Sequence, residues 1–348
     1  MPVEFPIDLS GMRVVRTDAE IECTDIDAAL RQAGAQLILL PESIDEYQLA
    51  DTLVDADLLL MCYTSITARV LAGATRLKGI VKYGVGVDAI DFEAAARQQI
   101  PVVNVPDYAD NTVAEAALCM TLCLLRKMMP ISTAVQQKGW INPVPGWLGQ
   151  DLSNKCVALV GAGHIGQAFA RMAGSGFCAS VIAYDPYLCH AELDALGIEK
   201  VEDLHSLLSR ADVVSVHCVL NEQTRGLIGS AEFAAMQRQP VFINVSRGAI
   251  VDEQALIQAL DTRQISAAGL DVFSSEPLAR HSHPLSSLFG RDNVILYPHL
   301  AFYTCEAMER LTSQTLARCL EIMGNEPVRI RSNDPRLRGQ IGHFDFHS

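Results

Sequence analysis

Three ionisable residues stand just beyond three apolar runs in the second half of the chain. Arg247 follows Phe242-Ile243-Asn244-Val245-Ser246. Glu276 lies in the Ser-Ser-Glu-Pro stretch after Leu270-Asp271-Val272-Phe273, and His299 follows Val294-Ile295-Leu296-Tyr297-Pro298. The spacings are 29 and then 23 residues. Their chemistry is complementary. A guanidinium grips a carboxylate through two parallel hydrogen bonds. A protonated imidazole gives a carbonyl oxygen its proton as hydride arrives at carbon, and a carboxylate beside the ring favours its charged form. Any one of the three alone reads as a surface charge. In order, at predicted strand ends, they read as a site, because open α/β sheets bind ligands at the carboxyl ends of their strands.

Hydride needs a carrier, and a dinucleotide fingerprint lies upstream of all three. Residues 156–160 (Cys-Val-Ala-Leu-Val) read as a buried strand, followed at once by Gly161-Ala-Gly163-His164-Ile165-Gly166 and then the opening turns of a helix. Gly161 makes the tight turn, Gly163 lets the backbone approach a pyrophosphate, and Gly166 lets helix and strand pack closely. The whole turn, His164 and Ile165 included, is assigned to the cofactor. A second strand, 180–184, ends on Asp185, 19 residues after Gly166, where a carboxylate can accept from both ribose hydroxyls. That acid would repel a 2′-phosphate, and Pro186 and Tyr187 bring no basic group to receive one, so NAD is favoured over NADP.

The elements that must position these residues alternate along the chain. Strands at 12–16, 36–40, 58–62, 80–83 and 101–105, with helices at 26–33 and 68–73, predict a first parallel α/β sheet. A helix is expected over 113–129, capped by Asn111 or Thr112. Residues 130–154, with three prolines and two tryptophans, read as an extended arm fit for a packing or subunit contact. Six strands are then expected near 156–160, 180–184, 213–217, 241–245, 266–270 and 293–296, before a last helix over 304–323 and a polar, loosely ordered tail from Arg331.

At 348 residues the chain calls for two domains, and a net charge of −14 argues against nucleic-acid and anionic-membrane partners. No run reaches the roughly 18 apolar residues of a membrane span, and the acidic start MPVEFPIDLS is no signal peptide. The ten cysteines form no CxxC pair, and Cys119, Cys123, Cys156, Cys178 and Cys218 fall inside apolar runs. They read as buried free thiols of a cytoplasmic protein. His281 and His283 lie near Asp292, but no metal-ligand set closes around them.

The ordered stretches KYGVGVDAID, NVPDYADNTVAEAA, VALVGAGHIGQAFA, NVSRGAIVDEQAL, GLDVFSSEP and YPHLAFYT, from about residue 80 to 304, resemble the D-isomer-specific 2-hydroxyacid dehydrogenases. The first 75 residues match only in strand–helix rhythm. The resemblance implies two doubly wound parallel-sheet α/β domains, a Rossmann NAD domain over 111–303 inserted into a flavodoxin-like substrate domain of 1–110 and 304–348. It implies a homodimer formed through the arm. It implies Arg247 as substrate anchor, His299 as acid and base, and Glu276 as its partner. By the same resemblance Tyr83, Gly84, Val85 and Gly86 form a loop whose N–H groups hold the substrate carboxylate. Thr112, Cys218, Val219, Thr224, Asn244, Val245, Ser246 and Asp271 become cofactor contacts, Asp271 at the nicotinamide carboxamide. The family usually has proline where Val219 stands, a change of loop stiffness, and His217 reads as structural.

Substrate choice rests on the first domain. Phosphoglycerate-type members carry an arginine after the third strand. Here Cys62-Tyr63-Thr64-Ser65-Ile66 holds no basic residue before Arg69, which disfavours a phosphorylated substrate. Phe302 and Tyr303 resemble the aromatic pocket of D-lactate-type members. The alternative to an enzyme is an NAD-sensing interaction module like the C-terminal-binding-protein corepressors, whose loops KYGVGVD and NVPDY resemble closely.

Overall fold

The computed structural model describes residues 7–324, 328–332, 334–340 and 344–346. The chain forms two units, Met1–Ala109 with Thr304–Ser348, and Asp110–Tyr303. The first begins with β1 (Arg13–Arg16), α1 (Thr24–Gln32), β2 (Gln36–Leu39), α2 (Glu46–Leu53), β3 (Leu58–Met61), α3 (Ala68–Leu71), β4 (Ile80–Lys82), α4 (Phe92–Arg97) and β5 (Val102–Asn104). The strands form one parallel sheet in the order β2-β1-β3-β4-β5. That is the flavodoxin-like order. β3, β4 and β5 are buried throughout, as unbroken Leu-Leu-Leu-Met and Ile-Val-Lys runs must be in a sheet covered on both faces.

The second unit opens with α5 (Asp110–Leu125) and α6 (Met128–Lys138). It continues with β6 (Cys156–Val160), α7 (His164–Arg171), β7 (Ser180–Tyr184), α8 (His190–Asp194), β8 (Ile198–Lys200), α9 (Leu204–Arg210) and β9 (Val213–Val216). It closes with α10 (Ser230–Ala235), β10 (Val241–Asn244), α11 (Glu253–Asp261), β11 (Ala267–Leu270) and β12 (Val294–Leu296). All seven strands are parallel, in the order β12-β11-β10-β9-β6-β7-β8. The order reverses between β6 and β9, so the crevice of a doubly wound sheet falls at the glycine turn after β6. The chain then returns to the first unit through α12 (Cys305–Met323), β13 (Val328–Ile330), α13 (Pro335–Arg338) and β14 (Phe344–Phe346). Thr304 caps α12 by accepting from the Ala307 N–H.

The structure departs from the sequence reading in several places. α5 starts at Asp110, so Asn111 and Thr112 lie inside it, and Asn111 accepts from Arg171 Nη2 at 2.7 Å. α5 stops where Lys127 takes a left-handed φ of 51°, and a second helix follows to Lys138 in place of an extended arm. Pro130 is compatible with it because it sits in the first turn, where its missing N–H has no intrahelical partner. An additional edge strand, β8, makes seven where six were expected. In the tail, β14 pairs with β13 in parallel. Residues 1–6, which begin the MPVEFPIDLS stretch, lie outside the described residues. All ten cysteines are free, but Cys119 and Cys178 are exposed and not buried. Cys119 faces outward from α5, and Cys178 follows a π-turn with φ of 56° that carries it away from the core. Among the described residues no single helix is long and apolar enough to cross a membrane.

Candidate active site

β10, β11 and β12 are neighbours in register, with Asn244 opposite Leu270 and Leu270 opposite Leu296. Their carboxyl ends are level, so the short segments that follow present Arg247, Glu276 and His299 on one edge of the sheet. His299 Nδ1 lies 2.8 Å from Glu276 Oε2, and Glu276 Oε1 accepts from the Phe273 N–H at 2.9 Å. Burial pushes the Glu276 carboxyl up. The His299 contact, the Phe273 N–H and the nearby Arg247 charge outweigh it and hold the group below the ordinary glutamate range. The carboxylate is therefore ionised at neutral pH, and its charge is lost as pH falls through that depressed value. Arg247 Nη1 donates to its neighbour's carbonyl, Ser246 O, at 2.7 Å, which folds the guanidinium back over the turn.

Several further contacts hold this arrangement. His299 has φ of 55°, a left-handed conformation that costs a non-glycine residue strain. Asp271 fixes it. Its carbonyl accepts from the His299 N–H at 2.8 Å, and its carboxylate accepts from the N–H groups of Leu300 and Ala301 at 2.9 and 3.2 Å. Asp271 is 2% exposed, and burial pushes its carboxyl up to about 7 against those donors. The Glu276 loop is pinned as well. Glu253 Oε1 accepts from the Ser274 N–H at 2.7 Å, and His283 Nε2 contacts Ser275 O at 2.9 Å with its ring edge-on to Phe273. A buried charge just after β10 and a histidine among loop residues were the available signals for Glu253 and His283, and neither stands out in a linear reading.

Gly248 lets the Arg247 turn and the Glu276 loop meet. A Cβ built there would fall 1.9 Å from the Phe273 carbonyl carbon, so any side chain must push the two segments apart. Gly248→Ala is expected to lower stability by about 1–3 kcal/mol through overpacking and to lower kcat by separating Arg247 from Glu276. Thermal unfolding and steady-state rates check this. A wild-type kcat in a folded variant would show that the segments tolerate separation.

The glycine turn has the geometry a pyrophosphate needs. Gly161 has φ of 92°, and a Cβ on it would meet the Cys218 backbone nitrogen at 2.7 Å. A Cβ on Gly166 would meet Gly161 O at 2.7 Å, whereas one on Gly163 would enter open space at the start of α7. Asp185 Oδ2 accepts from the Ala162 N–H and Oδ1 from the Tyr187 N–H, both at 2.9 Å, which leaves lone pairs on both oxygens for ribose hydroxyls. His164 Nδ1 lies 3.3 Å from Asp110. Ile165 is half-buried in the first turn of α7.

Other predicted cofactor positions serve the turns themselves. The Asn244 side chain donates to Arg247 O and accepts from the Ser246 N–H, and the Ser246 hydroxyl donates to Cys218 O. Thr224 Oγ1 donates to Val219 O at 2.6 Å, which closes its own loop and leaves Val219 57% exposed. Val245 is buried, and Thr112 is buried in α5. Burial pushes Cys218 up to about 12, so it is no nucleophile, and drives the partly buried His217 down to about 3. His217 is thus a neutral ring, 2.8 Å from Ser215 Oγ and packed on Phe169.

In the other unit the Tyr83–Gly86 loop follows β4. Tyr83 is a buried anchor: its hydroxyl donates to Thr17 O at 2.6 Å and its N–H to Met61 O. The Gly84 N–H is spent on Lys82 O. Among the described residues the Val85 and Gly86 N–H groups have no acceptor, so the donors of this loop come down to these two. Lys82 is 5% exposed beneath the loop and donates to Cys62 Sγ at 3.0 Å. Arg69, the first basic side chain after β3, pairs with Glu46 and stacks on Tyr47.

A doubly wound sheet with an open glycine turn, and a paired imidazole and carboxylate on the same edge, is the architecture of a dinucleotide-binding domain. Residues 118–301 match the family model of the D-isomer specific 2-hydroxyacid dehydrogenase NAD-binding domain, and the chain belongs to that family. The dinucleotide of the second unit is NAD. The chain is 36% identical over 291 residues to a D-3-phosphoglycerate dehydrogenase of Methanocaldococcus jannaschii, covering 83% of this chain and 54% of that one. It is 34% identical over 282 residues to glyoxylate/hydroxypyruvate reductase B of Klebsiella pneumoniae, covering 81% and 84%. The crystal structure of the Aquifex aeolicus D-lactate dehydrogenase with NAD and lactic acid superposes with a TM-score of 0.80 at 26% identity, covering 94% and 98%. The chain spans about half the length of the curated phosphoglycerate dehydrogenases it matches. These relatives are dehydrogenases and reductases, and they lend the corepressor alternative no support.

Proposed function

We propose that this protein reduces small, unphosphorylated 2-keto acids to D-2-hydroxy acids with NADH. The observation that carries the reading is the 2.8 Å His299–Glu276 contact on the sheet edge that also holds Arg247 and the glycine turn. NADH, when bound, supplies the hydride. His299, as imidazolium, gives its proton to the carbonyl oxygen, and Glu276 holds the ring through Nδ1 and stabilises its charge. Arg247 binds the carboxylate and fixes the carbonyl's orientation. In the reverse direction neutral His299 takes the hydroxyl proton. The unphosphorylated substrate is supported by the engagement of Arg69 with Glu46 and Tyr47 and by the burial of Lys82. A panel of glyoxylate, hydroxypyruvate, pyruvate and longer 2-keto acids tests the reading, with turnover of at least one expected. Activity confined to a phosphorylated keto acid overturns the substrate assignment, and no turnover of any overturns the reaction.

NADH is expected to be used at least roughly tenfold better than NADPH, because Asp185 repels the added phosphate and no basic group stands beside it. Asp185→Ala should narrow the gap. Equal kcat/KM for the two cofactors in the wild type would refute the assignment of Asp185.

The reading includes a homodimer. On α6 and the segment after it, Met128, Met129 and Val135 are exposed, Trp140 is 88% exposed and Leu148 77% exposed. Aromatic and large apolar side chains in one exposed stretch fit the core of a protein interface. Light scattering at micromolar concentration is expected to give twice the chain mass, and Trp140→Asp with Leu148→Asp to give the monomer. A wild-type monomer rules the dimer out.

A further inference from the structure

The first unit holds a small positive cavity outside the substrate loop. It has a volume of about 30 Å³ and lies between the end of β5 and α12, with Asn104, Gln314, Ala317, Arg318 and Arg331 among its walls. A cavity of this size takes on the order of two waters or one small ion.

Among the described residues the charged side chains lining it are cationic. The Arg318 side chain is 3% exposed, and its Nη2 is paired with Glu321, which also accepts from the Arg329 N–H. Its Nη1 donates to Arg329 O. Its Nε is buried without a partner among the described residues, as is Thr315 Oγ1 almost one helical turn earlier. Arg331 makes no hydrogen bond or ion pair among the described residues. Among the described residues Glu321 is the carboxylate paired with Arg318, and Arg331 and Arg329 add like charge near that guanidinium. Burial, and then Arg331 and Arg329, push the Arg318 pKa down despite Glu321. A buried guanidinium with an unmet donor and two like charges nearby is stabilised by an anion. Asn104, a wall of the cavity and 4% exposed, also reaches the substrate loop, donating its side-chain N–H to Val85 O at 2.7 Å. Val85 carries one of the two loop donors without an acceptor.

We propose that this cavity is a binding site for one small anion, a halide or the head of a carboxylate, and that Asn104 transmits its occupancy to the Tyr83–Gly86 loop. Arg318 and Arg331 supply the charge, and Gln314 supplies a neutral donor.

The test needs no substrate and so stands apart from the keto-acid reading. Chloride binding is followed by NMR line width on the intact protein, and amide hydrogen exchange is measured at Val85 and Gly86 with and without chloride. The wild type is expected to broaden the chloride line saturably and to slow exchange at these two amides severalfold. Ala317→Leu fills the cavity and leaves every charge in place, and Arg331→Gln removes an exposed charge that no core contact requires. Both are expected to abolish the saturable broadening and the change in exchange. Repeating the titration with acetate tests the carboxylate class by competition. Identical broadening in wild type and Ala317→Leu means that water fills the cavity, and the site is wrong. Broadening that Ala317→Leu abolishes, with exchange at Val85 and Gly86 unmoved by chloride in the wild type, overturns the coupling through Asn104.

Discussion

His299→Ala is expected to lower kcat for keto-acid reduction by roughly 10²–10⁴ while NADH affinity stays near wild type, since a general acid is lost and the glycine turn is untouched. Alanine also removes the residue from a left-handed backbone position it adopts reluctantly, so a slower variant could reflect a moved turn. His299→Asn separates the two. Asparagine tolerates positive φ and keeps the turn that Asp271 clamps, but it cannot deliver a proton as an acid. Both variants should fall by a similar factor. If His299→Asn keeps a wild-type rate, His299 is not the proton donor.

The partner carboxylate acts on the pH profile. Glu276 is held ionised by the His299 contact, so the same contact favours the imidazolium. Glu276→Gln removes that anion. The alkaline limb of ketone reduction should then move to lower pH, and kcat at neutral pH should fall less than in His299→Ala. An unmoved limb would show that Glu276 only orients the ring.

The two sheets and the three ionisable residues were legible because each rests on local pattern. The β6 strand, the Gly161–Gly166 turn and Asp185 lie within one contiguous unit, and short buried strands such as Leu58–Met61 announce themselves by composition. The positions that escaped depend on tertiary contacts. Resemblance gives Asp271 a place at the nicotinamide carboxamide, and only the fold shows its carboxylate on the Leu300 and Ala301 N–H groups. Gly248 looks like one more loop glycine until Phe273 is seen against it. The 128–138 helix is hidden because the prolines and tryptophans of 130–154 suggest an extended arm, whereas a first-turn proline is compatible with a helix. β8 is only three residues at a sheet edge, too short for periodicity to reveal. Resemblance assigned Asn244, Ser246 and Thr224 to the cofactor, while their side chains build the turns that shape its edge.

Arg247→Ala should have the second large effect, on capture more than on chemistry. A guanidinium–carboxylate pair makes two charge-assisted hydrogen bonds of about 1.5–3 kcal/mol each, so kcat/KM for a keto acid should fall by roughly 10²–10⁴, mostly through KM. Part of the loss should appear in kcat, because the same contact aims the carbonyl at the hydride. Glu276 reports on the change too, since the Arg247 charge helps hold its carboxylate ionised. Without that charge, the acid limb set by Glu276 protonation should move to higher pH. Arg247→Lys is the decisive comparison. An ammonium restores the charge at Glu276, and with it the acid limb, but it cannot make the planar two-point contact. It should therefore recover the pH profile and leave KM high. Full recovery of KM by lysine would mean that Arg247 supplies only charge. Arg247→Ala with wild-type KM would place the substrate carboxylate elsewhere.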